Sequence, residues 1–151
     1  VDRAKNENQP NLVSMTISQI QAYQHSLGGR NACGKYQIVK GTLAAYYEIA
    51  GLSASDLFNA DGQDKVAYYL LMAVRKGQDF LDSDRSEARF IEFALAVAQE
   101  WAALPVLEAM TGHRNVPLQR GDSYYKGTAG NRALVDADTY EAALKKFINE
   151  S

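Results

Sequence analysis

An α+β domain, predominantly α, with one minimal β-hairpin is the fold class this sequence predicts, on three observations. Long stretches repeat apolar residues at helical spacing, above all residues 61–76, 84–104 and 138–149. Only "YQIV", Tyr36 to Val39, has the composition of a strand near the N-terminal half. Glycine and proline then punctuate the chain where helices should stop, at Gly28-Gly29, Gly51, Gly77, Pro105 and Gly112.

Along the chain, Val1 to Asn11 has no periodicity and reads as an extended entry segment, with further sequence expected upstream of Val1. In "SMTISQIQAYQ", Thr16 and Gln19 make a capping-box pattern, and Ile17, Ile20 and Tyr23 (or Gln24) follow helical spacing. A turn at Asn31 to Gly34 leads into the Tyr36–Val39 run. Thr42 then caps a helix through Ile49, Ser53 to Phe58 forms a short helical turn, and Asp61 to Lys76 forms an amphipathic helix stopped by Gly77. Its stripe is Val66, Tyr69, Leu70, Ala73 and Val74.

The longest helix is expected from Asp84 to Leu104, stopped by Pro105. Ile91, Ala94, Leu95, Ala98 and Trp101 give it a wide apolar face, which marks a central buried element. Val106 to Met110 adds one turn, residues 113–133 form a long loop, and a closing helix from Asp138 to Asn149 carries Tyr140, Ala143, Leu144 and Phe147. No internal repeat or low-complexity tract is visible, and 151 residues suit a single domain.

Composition narrows the function. An apolar fraction of 46%, a charged fraction of 23% and a formal charge of −2 belong to an ordinary soluble globular domain. They lack the basic excess expected of a nucleic-acid binder. No apolar run approaches a membrane span, and no signal peptide is recognisable. Cys33 is the only cysteine, so there is no internal disulfide, and the compartment stays undecided.

His25 and His113 lack carboxylates or cysteines at ligand spacing, so neither metal nor cofactor is expected. A nucleophilic Cys33–histidine pair has nothing to support it, and "GTAGNR" at 127–132 lacks the lysine and strand of a phosphate loop.

Tyrosine placement is more telling. Tyr46-Tyr47 and Tyr68-Tyr69 lie on helical patterns, where packing explains them. Tyr36 and the Tyr124-Tyr125 pair sit in glycine-flanked irregular segments. Rings there offer a flat apolar face to a sugar, with hydroxyls, Gln37 and Asn131 supplying hydrogen bonds. Plain loop packing is the competing reading.

Here a resemblance enters. "ACGKYQIVKGTL" resembles the A-x-G-[RK]-Y-Q-[IL] stretch of phage lambda-type endolysins and related muramidases, and parallels the G-x-x-Q-[IV] turn of goose-type lysozymes and soluble lytic transglycosylases. "SMTISQIQAYQ" is similar to the helix before that turn, and "DGQDKVAYYLL" to the QD-x-(L/V)-A helix after it. "QEWAALP" resembles the tryptophan-containing helix end, and "DSYYKGTAGNRA" the SYY-x-G-x-x-x-N-(K/R)-A loop. The motifs run in order from residue 12 to about 147.

The resemblance implies a lysozyme-like fold, its small hairpin beside a cleft, cutting the β-1,4 link between N-acetylmuramic acid and N-acetylglucosamine in peptidoglycan. Tyr36 and Gln37 would line one wall, and Tyr124, Tyr125 and Asn131 the other, with Trp101 as cleft floor or core. The chemistry needs a carboxylic acid to protonate the leaving oxygen. The family's glutamate, on the helix before the "SMT" segment, has no match here, and its place falls before Val1.

The acid is therefore expected upstream or on a second chain, with Glu7 as a weak fallback and Glu48 and Glu100 read as solvated faces or buried pairs. No second carboxylate is matched as nucleophile. The resemblance to lambda-type enzymes, which are transglycosylases, implies attack by the muramic acid 6-hydroxyl, with hydrolysis by water as the runner-up. A catalytically silent wall-binding module is the alternative. The implied setting is the periplasm or cell wall, reached by phage lysis, a phage tail or secretion, and an inhibitor or immunity protein is an implied partner.

Overall fold

The structure, a computed structural model, describes residues 10–128 and 130–151. Glu7 and most of the entry segment lie outside them. The chain divides into two compact units, Val1–Leu70 and Leu71–Ser151. Among the described residues the protein is predominantly helical, with six α-helices and one two-stranded antiparallel sheet.

In the first unit, α1 (Ile17–Ser26) begins with the capping box its sequence announces: Gln19 N–H donates to Thr16 Oγ1, and Thr16 N–H to Gln19 Oε1. Ile17, Ile20 and Gln24 face inward, so the amide rather than Tyr23 completes the buried stripe. Helix α2 (Lys40–Tyr46) starts two residues before the expected Thr42. Its end is satisfied from a distance, because Asn31 Oδ1 accepts from Lys40 N–H at 2.8 Å.

Residues 53–58 form no helical turn. Instead Ser53 and Asp56 close one isolated turn, Asp56 N–H donating to Ser53 O and Asp56 Oδ2 accepting from Ser53 N–H. The chain then bridges the start of α1, where Ile17 N–H donates to Asp56 O and Phe58 N–H to Met15 O. Helix α3 (Ala60–Tyr69) is capped by Asn59, whose side chain accepts from Gly62 N–H. The chain then widens into a π-helical turn, Leu70–Val74, and Gly77 opens the short α4 (Gly77–Leu81) instead of closing the preceding helix.

In the second unit, α5 (Glu87–Glu100) is shorter at both ends than its periodicity suggests. Ser86 Oγ caps it by accepting from Arg89 N–H, and Trp101 leaves helical geometry at φ −120°, ψ 103°, well before Pro105. Its buried stripe is Phe90, Phe93, Ala94, Val97 and Ala98, rotated from the expected one because the phenylalanines claim the interior. They pack with Phe80, Leu107, Ala137, Tyr140, Leu144 and Ile148, and Trp101 leans partly buried on this core. Helix α6 (Ala137–Asn149) is capped by Asp136, which accepts from Thr139 N–H. That bond holds the Asp136 carboxyl below its usual range.

The strand pair is not where the sequence put it. Residues 36–39 form no hairpin strand. The sheet is β1 (Met110–Thr111) against β2 (Pro117–Leu118), Met110 opposite Leu118, within and just before the segment read as a long loop. Residues 106–110 accordingly form no extra helical turn.

Tyr140 supplies a test of the second core. Its ring is 5% exposed, its hydroxyl donates to Ala94 O at 2.6 Å, and burial pushes its pKa well above the ordinary tyrosine value. With the folded value raised, this contribution is complete below the unfolded pKa of about 10 and declines as pH rises beyond it. Tyr140→Phe should cost about 1 kcal/mol near neutral pH and flatten the alkaline fall in stability, read from urea titrations between pH 8 and 11.

Candidate functional site

The first candidate surface is the 31–38 turn. Cys33 and Ile38 exchange both backbone hydrogen bonds, N···O 3.0 and 2.9 Å, as an isolated antiparallel bridge. The intervening chain reverses through positive φ at Gly34 (+78°) and Gln37 (+50°). A reversal this tight needs only one bridge, which is why strand composition there yields a turn.

Two buried glutamines hold it. Gln24 Nε2 donates to Asn31 O at 3.1 Å and to Ile38 O at 2.8 Å. Gln63 Oε1 accepts from Lys35 N–H at 2.8 Å, and its Nε2 donates to Phe58 O at 3.0 Å. Gln24 is fully buried and Gln63 nearly so, so each bond is formed away from water, where losing it costs most.

On this frame the half-buried Tyr36 donates its hydroxyl to Asp64 Oδ1, and Lys35 Nζ stands 5.0 Å over its ring and 3.8 Å from Asp64. Burial first, and then the bond to Asp64, raises the Tyr36 pKa. The Tyr36 hydroxyl and Asp64 raise that of Lys35. Tyr36 therefore offers a ring edged by a cation and a carboxylate. Gln37 is folded back, its Nε2 donating to Gly34 O at 2.7 Å, so its amide serves the turn it belongs to.

The second surface lies within Leu71–Ser151. Tyr124 and Tyr125 pack edge to face, centroids 5.1 Å apart at 86°, and the His113 ring sits 5.4 Å from Tyr125. The Tyr125 hydroxyl donates to Gln99 O, and burial raises its pKa. The neighbouring Glu100 receives Arg75 through both Nε (3.2 Å) and Nη2 (2.8 Å), with the carboxylate side chain 16% exposed. The structure thus brings Tyr124 and Tyr125 together on one shelf. Asn131 lies on an exposed turn, its N–H donating to Thr128 O.

Each sequence-chosen residue falls within one of the two units: Tyr36 and Gln37 in the first, Tyr124, Tyr125 and Asn131 in the second. The sequence reading missed Gln24, Gln63, Asp64 and His113 as parts of these surfaces. The "QD" of the α3 motif held the signal for two of them. Glu100 is the ion-paired member of its two readings, while Glu48 stays exposed and accepts from the adjacent Tyr47 hydroxyl.

No family model, curated protein or solved structure matches the chain. Among the described residues, no group of three or more histidine, cysteine, aspartate or glutamate side chains is placed to hold a metal ion. Nor is any helix there long and apolar enough to cross a membrane.

Proposed function

We propose that the chain acts on peptidoglycan glycan strands, in a lysozyme-like domain that cleaves the N-acetylmuramic acid–β-1,4–N-acetylglucosamine bond in the periplasm or cell wall. The observation that carries this reading is the braced 31–38 turn. Two buried glutamines are spent on fixing a turn whose outward product is one tyrosine ring flanked by Lys35 and Asp64. An apolar face edged by polar groups is what a pyranose ring needs, and the Tyr124–Tyr125 shelf has the same composition. The ordered motifs quoted above add the substrate class.

The proton donor is assigned to sequence outside the described residues. Cleavage then runs by protonation of the glycosidic oxygen, which leaves as a hydroxyl, and attack of the 6-hydroxyl on the anomeric carbon, its proton passing to the donor's carboxylate, giving a 1,6-anhydro end. Orienting that intramolecular attack supplies several kcal/mol.

One observation favours the second reading, a wall-binding module without activity. Among the described residues, the carboxylates displaced from ordinary ionisation, Asp84, Asp122 and Asp136, are all lowered by hydrogen bonds, opposite to what a proton donor needs. Incubation of purified sacculi with the chain together with the upstream segment or second chain that supplies the donor separates the two. Soluble muropeptides with 1,6-anhydro ends support the enzyme. Co-sedimentation without product, weakened by Tyr125→Ala, supports the module, and neither release nor co-sedimentation sinks both.

A further inference from the structure

Within Leu71–Ser151 a pocket of about 370 Å³ opens beside α4 and α5, within the size range of small-ligand sites. Its walls include Phe80 and Phe93, stacked with centroids 5.4 Å apart and 14° between planes. Charges of both signs stand round this apolar base, and they are not equivalent. Arg75 is tied to Glu100, and Arg89 to Asp84 at 3.2 Å, both partners outside the pocket lining. Lys76, Asp79 and Glu92 make no side-chain hydrogen bond or ion pair with any described residue. The pocket therefore holds one uncommitted cation and two uncommitted carboxylates.

Lys76 is also in a costly conformation, φ 63°, ψ 32°, the left-handed region where lysine is disfavoured and glycine is at ease. The adjacent Gly77 fixes that corner, since a Cβ there would stand 2.8 Å from Leu71 O and 3.0 Å from Met72 Sδ. The fold would be served at least as well by glycine at position 76, so what the lysine adds is its ammonium at the pocket.

We propose that this pocket binds a short peptide carrying both a free aliphatic ammonium and a carboxylate: the carboxylate goes to Lys76, the ammonium to Asp79 and Glu92, and the methylenes lie over Phe80 and Phe93. A polyanion would meet the two carboxylates, and a plain hydrophobe would bury charges without partners, so the zwitterion is the class that satisfies all three. Peptide stems on glycan strands have this chemistry. That link to substrate rests on the function proposed above, whereas the pocket chemistry does not.

The test is a titration of the isotopically labelled protein, followed by backbone amide NMR, with the dipeptide lysyl-alanine and, as control, its Nα,Nε-diacetyl form. Saturable shifts are expected at Lys76, Gly77, Asp79 and Glu92, with the diacetyl form binding about tenfold more weakly. Lys76→Gly relieves the strained backbone, and Asp79→Asn changes an exposed side chain, so each should keep the fold while weakening binding about threefold or more. Absence of saturable shifts, equal affinity for the diacetyl form, or unchanged affinity in both variants overturns the proposal. Dipeptide binding without any action on sacculi would sink the glycan-strand function alone, and the converse would sink the pocket alone.

Discussion

Gln24→Glu is expected to destabilise the Val1–Leu70 unit by about 3–5 kcal/mol at pH 7, with much of that deficit recovered near pH 4. The parent side chain is fully buried, with its Nε2 shared between Asn31 O and Ile38 O. Its Oε1 is buried without a hydrogen-bond partner. The substitution keeps the shape and replaces the one donor with a second oxygen, so a carboxylate would face two carbonyls. Burial and the lack of a donor raise the folded pKa of the introduced carboxyl above its unfolded value of about 4.3. A group raised on folding contributes fully below its unfolded pKa and loses that contribution as pH rises towards the folded one, so the deficit grows between mildly acid and neutral pH.

Urea titrations of both proteins at pH 4 and pH 7 read this directly, and an equal deficit at the two pH values would contradict the burial argument. Gln24→Met, which loses the two bonds without adding charge, should cost about 2 kcal/mol with no such pH dependence. Faster exchange of the Cys33 and Ile38 amides should accompany both changes, since those protons close the bridge that Gln24 supports.

The physical reason some of this was readable from sequence is periodicity. Helices α1, α3, α5 and α6 each bury a 3.6-residue stripe, and Thr16 with Gln19 advertises the start of α1, whereas the caps Asn59, Ser86 and Asp136 were not singled out. Each strand is two residues long, too short to show alternation, so β1 and β2 left no pattern to detect. Tyr36 to Val39 had strand composition, but positive φ at Gly34 and Gln37 is invisible to composition and turns the chain back after one bridge.

The same asymmetry runs through the candidate surfaces. Rings in glycine-flanked segments stand out in a sequence, so Tyr36, Tyr124 and Tyr125 are legible there. Gln24 and Gln63 are not, because a glutamine on a helical face reads as solvated until its amide is seen between two segments of backbone. Arg75 and Glu100 are twenty-five positions apart and meet only through the fold.

Gly34→Ala is the sharpest test of how that first surface is built, with an expected cost of about 3 kcal/mol or more. Left-handed backbone at φ +78° costs an alanine about 1 kcal/mol by itself. The rest comes from space: the new Cβ would lie 2.4 Å from Gln63 Oε1 and 2.9 Å from Phe58 Cε1. Gln63 cannot withdraw cheaply, because that same oxygen accepts from Lys35 N–H and its amide nitrogen is held by Phe58 O. Relief of the clash therefore breaks a buried hydrogen bond on the residue next to Tyr36. Gly28→Ala is the matched control, with φ +66° and nothing within 4 Å of its Cβ, so it should lose only the backbone share, about 1 kcal/mol. Denaturant titrations of the two variants side by side decide the matter, and equal costs would mean that Gln63 does not brace the turn. If Tyr36 is a glycan contact, Gly34→Ala should also weaken co-sedimentation with sacculi under conditions where it remains folded, while Gly28→Ala leaves it intact.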